Sequence, residues 1–338
     1  MHLTENQRAR RRRTGISLRT ALLSLGIAIG AIILPEWIAR HLMSHSIVYR
    51  LTPRPKFERM EIAGSAATGT VIDGKGGWIN EGQFTEILIR SEKAKGKPEW
   101  DRPTDIVIQN GRLRGSIRIM GMGRNGEARE VTKSSRREGH TERAQAAAPT
   151  RITIRNVEIE AAGVIPIYVA PGATEVTIEN CTFRGWTTSV ALYLDAESAR
   201  NVIRDNVFDL RVSREVIAVD GSAENRIENN RFQSVALGGI YLYRNCGEGG
   251  TVRHQTPHGN LIADNRFNLH PLAWRAAGIW LGSRNGSRPY CHADDGFPFG
   301  SSIDNRDFAF GNSVTGNRFE PSLRRAIRDN GEGNHVGS

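Results

Sequence analysis

The chain has no helical period of useful length. Its apolar residues come in short alternations broken by Asn, Gly and Asp, which excludes an all-helical architecture. It has no basic patch interleaved with aromatics and none of the usual nucleic-acid-binding motifs, so nucleic acid is not expected as a partner. Cysteine is scarce, and Cys181, Cys246 and Cys291 do not have the tight paired spacing of a zinc site. The uncharged stretch from Thr20 to Pro35 is shorter than the roughly 20 residues of a comfortable membrane span.

That stretch is nonetheless informative. Arg8, Arg10, Arg11, Arg12, Arg13 and Arg19 precede it, and it can extend through Trp37 and Ile38 if Glu36 sits at the interface. Positive charge stays on the cytoplasmic side, so the rest of the chain is expected to be exported. Trp37 and Ala39 would fill the specificity positions of a cleavage site, and they fit poorly. The reading is a basic tail and signal anchor over 1–40, holding the chain at a bacterial inner membrane in the periplasm. The alternative is a removed signal peptide and a secreted protein. Much of the formal charge of +10 resides in this tail. A linker with Pro53 and Pro55 follows over 41–61.

Beyond it the sequence repeats. Ile178-Glu-Asn-Cys-Thr-Phe183, Ile203-Arg-Asp-Asn-Val-Phe208, Ile227-Glu-Asn-Asn-Arg-Phe232, Ile262-Ala-Asp-Asn-Arg-Phe267 and Val314-Thr-Gly-Asn-Arg-Phe319 are variants of one hexapeptide. Looser copies stand at Ile154–Ile159 and Ile108–Leu113, and the steps from Ile159 to Phe183, Phe208 and Phe232 are 24, 25 and 24 residues. Asn tolerates the left-handed region at a sharp bend, and stacked amides can bond from coil to coil. One coil cannot bury its apolar face, whereas stacked coils share a core. The repeat resembles that of the pectin-lyase-like right-handed parallel β-helix superfamily. This resemblance implies an all-β solenoid of about seven coils over 62–320, preceded by an N-terminal hydrophobic helix and followed by a C-terminal tail over 321–338. It specifies a fold and not an activity, and the Asp-Pro-His-Asp signature of bacterial mannuronan epimerases is missing.

Each coil carries a second strand: Ile167-Tyr-Val-Ala170, Leu192-Tyr-Leu-Asp195, Ile217-Ala-Val-Asp220, Ile240-Tyr-Leu-Tyr243 and Ile279-Trp-Leu-Gly282. Alternation sends the second and fourth residues outward. The expected outer ladder is therefore Tyr168, Tyr193, Ala218, Tyr241 and Trp280, beside Ala170, Asp195, Asp220 and Tyr243. Such a row suits stacking on sugar faces, and the alternative is that the rings pack against a folded-back loop. Insertions at about 121–149, 244–259 and 283–311 all follow this strand, where function usually sits. The first is expected to be flexible, as a lid or as disorder.

Two chemistries fit. Asp195 and Asp220 lie one coil apart, with carboxylates expected about 5 to 7 Å from each other, as a glycosidase pair. A lyase or epimerase would need a cation against a uronate carboxylate, from Arg244, Arg284 or Arg288, and a base from His254, His258, His292 or Tyr243. Asp294 and Asp295 add substrate-binding groups. No cofactor is required, and calcium is a possible ligand of the stacked acids, since several members of the superfamily bind it. Cys246 and Cys291 leave equivalent positions on successive coils and can form a disulfide in an exported compartment, whereas Cys181 replaces a ladder asparagine. The expected partner is an anionic polysaccharide, with the membrane engaged through the N-terminal segment. A non-catalytic polysaccharide-binding or export-associated protein, or a surface adhesin, is the alternative.

Overall fold

The computed structural model describes residues 56–94, 99–270, 276–284, 297, 299–300, 306, 308–322 and 326–337. Over these residues the chain is a right-handed parallel β-helix whose 22 main strands join in one continuous parallel system. A short antiparallel ribbon, Glu92–Lys93 with Trp100–Asp101, stands apart from it. The expected signal anchor over 1–40 lies outside the described residues. Among those described, no helix is long and apolar enough to cross a membrane.

One wall of the solenoid, here the first wall, carries one strand per coil. In order these are Glu58–Ala63, Thr85–Arg90, the end of Thr104–Met120, Ile167–Val169, Leu192–Leu194, Ile217–Asp220, Ile240–Tyr243, Ile279–Leu281 and Ile327–Asp329. Each pairs in register with the next, so Ile117, Ile167, Leu192, Ile217, Ile240, Ile279 and Ile327 form one inward column. The solenoid is longer than the sequence indicated. Its first strand begins inside the expected linker, and Ile327–Asp329 and His335–Val336 build a further coil inside the expected C-terminal tail. Those strands lack the Asn-x-Phe signature, and register alone reveals them.

The second wall returns the chain through two short strands per coil, such as Val202–Arg204 and Val207–Arg211, bent between them. Asn180, Asp205, Asn229 and Asp264 take positive φ at that bend, which their short polar side chains accept at low cost. The residue after each one points inward instead. Asn206, Asn230, Asn265 and Asn317 hand their amides from coil to coil at 2.9, 2.9 and 3.0 Å. A second such ladder, Asn201, Asn225, Asn260, Asn312 and Asn334, closes the opposite corner and was not foreseen. Inside, Phe183, Phe208, Phe232, Phe267 and Phe319 stack at centroid separations of 4.6, 5.0, 4.4 and 5.0 Å.

The insertion at 121–149 is neither disordered nor a loose lid. It folds into α1, Arg129–Ser135, and α2, His140–Ala147, with Val131, Ala144 and Ala147 buried. Most of the 283–311 insertion lies outside the described residues.

Candidate functional site

Strand register on the first wall aligns Arg118, Tyr168, Tyr193, Ala218, Tyr241, Trp280 and Arg328 in one outward column. Tyr168 stacks on Tyr193 at 5.1 Å, and Tyr241 meets Trp280 edge-on at 5.4 Å. Each end of the column carries a cation on a ring: the Arg118 guanidinium lies 4.2 Å from the Tyr168 centroid, and that of Arg328 lies 4.8 Å from Trp280. Contacts of this kind are worth about 0.5–1 kcal/mol or more where they are desolvated. Tyr193, Tyr241 and Trp280 are half-buried and reach solvent, whereas Tyr168 is only 8% exposed.

The adjacent column was expected to face solvent and does not. Asp195, Asp220 and Tyr243 are buried. Two insertions cover the aspartates: Gly126, from the first, donates to Asp195, and Arg253 and Asn245, from the strap at 244–259, reach Asp195 and Asp220. The roof is tied by Thr132 Oγ1 to Thr251 Oγ1 at 2.7 Å, by Val252 N donating to Ser135 Oγ at 2.9 Å, and by Arg136 Nε donating to Gly250 O at 3.2 Å. The alternative weighed for the aromatics, packing under a folded-back loop, thus holds for Tyr168, whereas Tyr243 is buried against Glu215, Arg214 and Arg284.

The two aspartates differ under that roof. Asp195 accepts from the Tyr168 hydroxyl and Gly126 N on one oxygen, and from Arg253 Nη1 at 2.7 Å and Ala196 N at 2.8 Å on the other. Its acceptor positions are full. Asp220 accepts from the Tyr193 hydroxyl at 2.5 Å and from Asn245 N at 2.7 Å. Burial pushes the Asp220 carboxyl above the ordinary carboxylate range; Arg253 opposes the rise and Asp195 adds to it. Burial, then the Asp220 charge, likewise raises the Tyr193 phenol, so Tyr193 stands as a donor to Asp220.

Tyr243 forms a third tyrosine–carboxylate contact, donating to Glu215 Oε1 at 3.0 Å while Arg214 Nη2 donates to its hydroxyl at 2.8 Å. The Arg284 guanidinium lies 4.0 Å from the Tyr243 centroid, and its Nη1 donates to Asn245 Oδ1 at 3.0 Å. The expected substrate cation Arg284 is therefore brought to the wall, half-buried beside Asp220's own partner Asn245.

His254 and His258 are placed elsewhere. The His254 ring shares Nε2 with Ser135 O at 2.7 Å, stacks on Phe299 at 4.8 Å and touches His140 edge-on, so it pins the strap to α1. His258 stacks on Phe310 at 5.1 Å, at the corner that carries the second asparagine ladder. Arg244 is buried, with Nη1 donating to Arg253 O at 3.4 Å and its guanidinium over Phe308. Arg288, Cys291, His292, Asp294 and Asp295 lie outside the described residues. Among those described, no group of three or more His, Cys, Asp or Glu side chains could hold a metal. Calcium on Asp195 does not fit, because the carboxylate already accepts from a guanidinium. Sequence reasoning placed Arg253 in a chemically dense loop without giving it a role, and missed Arg118, Arg214, Glu215 and Arg328 as members of the site. Two were within reach, since Ile117-Arg-Ile119 and Ile327-Arg-Asp329 continue the strand pattern at either end. A shallow groove of about 420 Å³ at the bend of the early coils, past Asn110, Asn156 and Asn180, is remote from this chemistry.

The model of the right-handed β-helix region family matches residues 125–288. Among solved structures, the A-module of the mannuronan C-5 epimerase AlgE4 of Azotobacter vinelandii is 12% identical. The alignment covers 84% of this chain and 85% of that one, at a TM-score of 0.31. The DFA-IIIase of Arthrobacter chlorophenolicus A6, in complex with DFA-III, is 13% identical over 83% of this chain and 72% of that one, at a TM-score of 0.25. No curated protein matches the sequence. These likenesses carry nothing beyond the parallel β-helix already described.

Proposed function

On a right-handed parallel β-helix, a fold that assigns no chemistry by itself, we propose an enzyme that acts on an acidic polysaccharide along the first wall by proton abstraction, as a lyase or epimerase. The observation that carries this reading is the Tyr193–Asp220 hydrogen bond set beside Arg284, on a row of half-buried aromatic rings. Tyr193, Tyr241 and Trp280 offer faces for the C–H side of sugar rings, and Arg284, with Arg118 and Arg328 at the ends of the row, offers charge to uronate carboxylates. Tyr193 would take the proton from the carbon next to the carboxylate as its own phenolic proton passes to Asp220. In a lyase the electron pair left behind forms the double bond and expels the glycosidic oxygen, which takes a proton from Tyr193 as Asp220 returns its own to the phenol; in an epimerase water gives a proton to the other face of the carbon and the hydroxide left takes the proton from Asp220.

Hydrolysis by Asp195 and Asp220 is less well supported, because Asp195 has no acceptor position left for a reacting group. A non-catalytic polysaccharide-binding protein is the second reading, favoured by the insertions that bury Asp195 and Asp220. The two separate on a panel of acidic polysaccharides. Ultraviolet absorbance of an unsaturated uronate detects a lyase, and deuterium uptake from heavy water detects an epimerase. Binding with neither signal leaves the second reading.

We also propose that the chain works in the periplasm, anchored through 1–40, with Cys246 bridged to Cys291. The basic tail and the following uncharged stretch support export, and an oxidising compartment permits the bridge. Mass mapping of unreduced peptides tests the bridge. Sequencing the N-terminus of the mature protein tests the anchor.

A further inference from the structure

The second wall carries an outward column that runs Arg112, Glu158, Thr182, Val207, Arg231, Arg266 and Arg318 in strand register. Its last three members are arginines on consecutive coils, all exposed. Rungs of a sheet lie about 4.8 Å apart, and like charges directly opposite each other on neighbouring strands destabilise the pair.

Elsewhere on this wall the sequence avoids that cost. Arg114 pairs with Glu160, Arg151 with Asp105, Arg184 with both Glu158 and Asp209, and Arg204 with Glu179, each across a coil boundary. Among the described residues, Arg231, Arg266 and Arg318 have no carboxylate within ion-pair distance. Their strands continue outward through Gln233 and Asn268, which are neutral hydrogen-bonding amides, before reaching Glu320.

We propose that Arg231, Arg266 and Arg318 form a second track for an anionic polysaccharide, on a wall apart from the Tyr193–Asp220 site. The choice of polymer rests on the functional reading above; the track itself rests on the arginine column. Three guanidiniums at rung spacing match an extended chain carrying one negative charge on each of successive residues, and Gln233 and Asn268 suit its hydroxyls. Single-stranded nucleic acid fits less well, because Phe232 and Phe267 point into the core and leave no outer ring on these rungs for a base to stack on. A polymer held here would keep the enzyme on its substrate between encounters with the first wall.

The test uses the full-length chain and its Arg231→Gln/Arg266→Gln/Arg318→Gln variant, with polygalacturonate, neutral dextran and single-stranded DNA as probes. The variant should bind polygalacturonate about tenfold or more weakly, with a shallower dependence of affinity on salt, since fewer counterions are displaced. Dextran should bind neither protein. Unchanged affinity and salt slope for polygalacturonate would overturn the track, and DNA bound as tightly as polygalacturonate through these arginines would overturn the choice of polymer. The readout is binding and not turnover. A chain that holds polygalacturonate through the three arginines but converts nothing keeps the track and sinks the enzyme.

Discussion

Tyr193 donates its phenolic hydrogen to Asp220 on the next coil at 2.5 Å, and Tyr168 makes the same bond to Asp195 one coil earlier. The proposed chemistry needs the first pair and not the second. Asp195 is neutralised by Arg253, whereas Asp220 is left with a phenol and one backbone amide. Tyr193→Phe and Asp220→Asn should therefore each lower turnover by about 10²-fold or more while polymer binding persists, because a proton-transfer group contributes roughly that much. Steady-state rates beside equilibrium binding make the comparison. Equal turnover in both variants and the parent would remove this pair from the mechanism.

The same carboxyl makes a stability prediction. Burial raises Asp220 above its ordinary value of 3.8, so the folded chain holds that proton to higher pH than the unfolded chain does. Stability from this group is then fully present below the ordinary carboxylate pKa and is lost as pH rises through the folded one. Every tenfold gain in proton affinity on folding corresponds to about 1.4 kcal/mol. Asp220→Asn cannot ionise, so its stability should gain on the parent as pH rises above about 4. Urea denaturation across a pH series measures this, and a gain that runs the other way contradicts the assignment.

Arg253 and Asp195 form an ion pair with side chains only 5% and 1% exposed. Removing one partner leaves a buried charge uncompensated, which costs about 3–5 kcal/mol, whereas replacing both with neutral groups costs much less. Arg253→Met should therefore be strongly destabilised, and Arg253→Met with Asp195→Asn should recover a large part of the loss. Chemical denaturation of the two variants decides it. If the double variant is weaker by the simple sum, the pair is not coupled as the geometry requires.

Much of the scaffold was legible because a solenoid writes its core into the sequence once per coil. The Phe183-to-Phe319 stack, the coil-to-coil asparagine amides and the outward row from Tyr168 to Trp280 all follow from one hexapeptide and strand alternation, whereas the αL bend falls one residue before the recurring asparagine, at Asn180, Asp205, Asn229 and Asp264. Burial of the site was not legible. Whether Asp195 faces water depends on where α1 and the strap at 244–259 fold back, and those contacts join residues more than a hundred positions apart, such as Thr132 and Thr251. The role of Arg253 escaped for the same reason: the residue's partner lies 58 residues upstream, on another coil, and no repeat position announces it. The coil through Ile327 escaped because register replaces the missing motif.

Phe232 lies between Phe208 and Phe267 and is 1% exposed, whereas Phe319 at the end of the stack is half-buried. Truncating a fully packed ring costs about 3–5 kcal/mol in lost transfer and cavity terms. Phe232→Ala should fall in that range and Phe319→Ala clearly below it. Urea midpoints at constant slope report both, and an equal loss at the two positions would mean that the stack does not set the core's stability.

Cys181 is a free, buried cysteine that ends the inner asparagine ladder. Its backbone N–H donates to Asn206 Oδ1 at 2.9 Å, as Asn206 N does to Asn230. Its thiol lies 3.6 Å from Ile154 O, the position equivalent to the carbonyls that Asn206 and Asn230 reach with their amides at Ile178 and Ile203. Burial pushes the thiol up to about 12, so it stays neutral and contributes only weak sulfur hydrogen bonds. An asparagine here has an acceptor waiting in Ile154 O and another in Asn206 Oδ1, and each bond formed is worth about 0.5–1.5 kcal/mol net. Cys181→Asn should therefore melt above the parent and Cys181→Ala below it. Both changes remove the thiol, so their difference isolates the amide. If Cys181→Asn melts below Cys181→Ala, the ladder cannot be extended at its own end, and the coil-to-coil amide bonds are not what hold this corner in register.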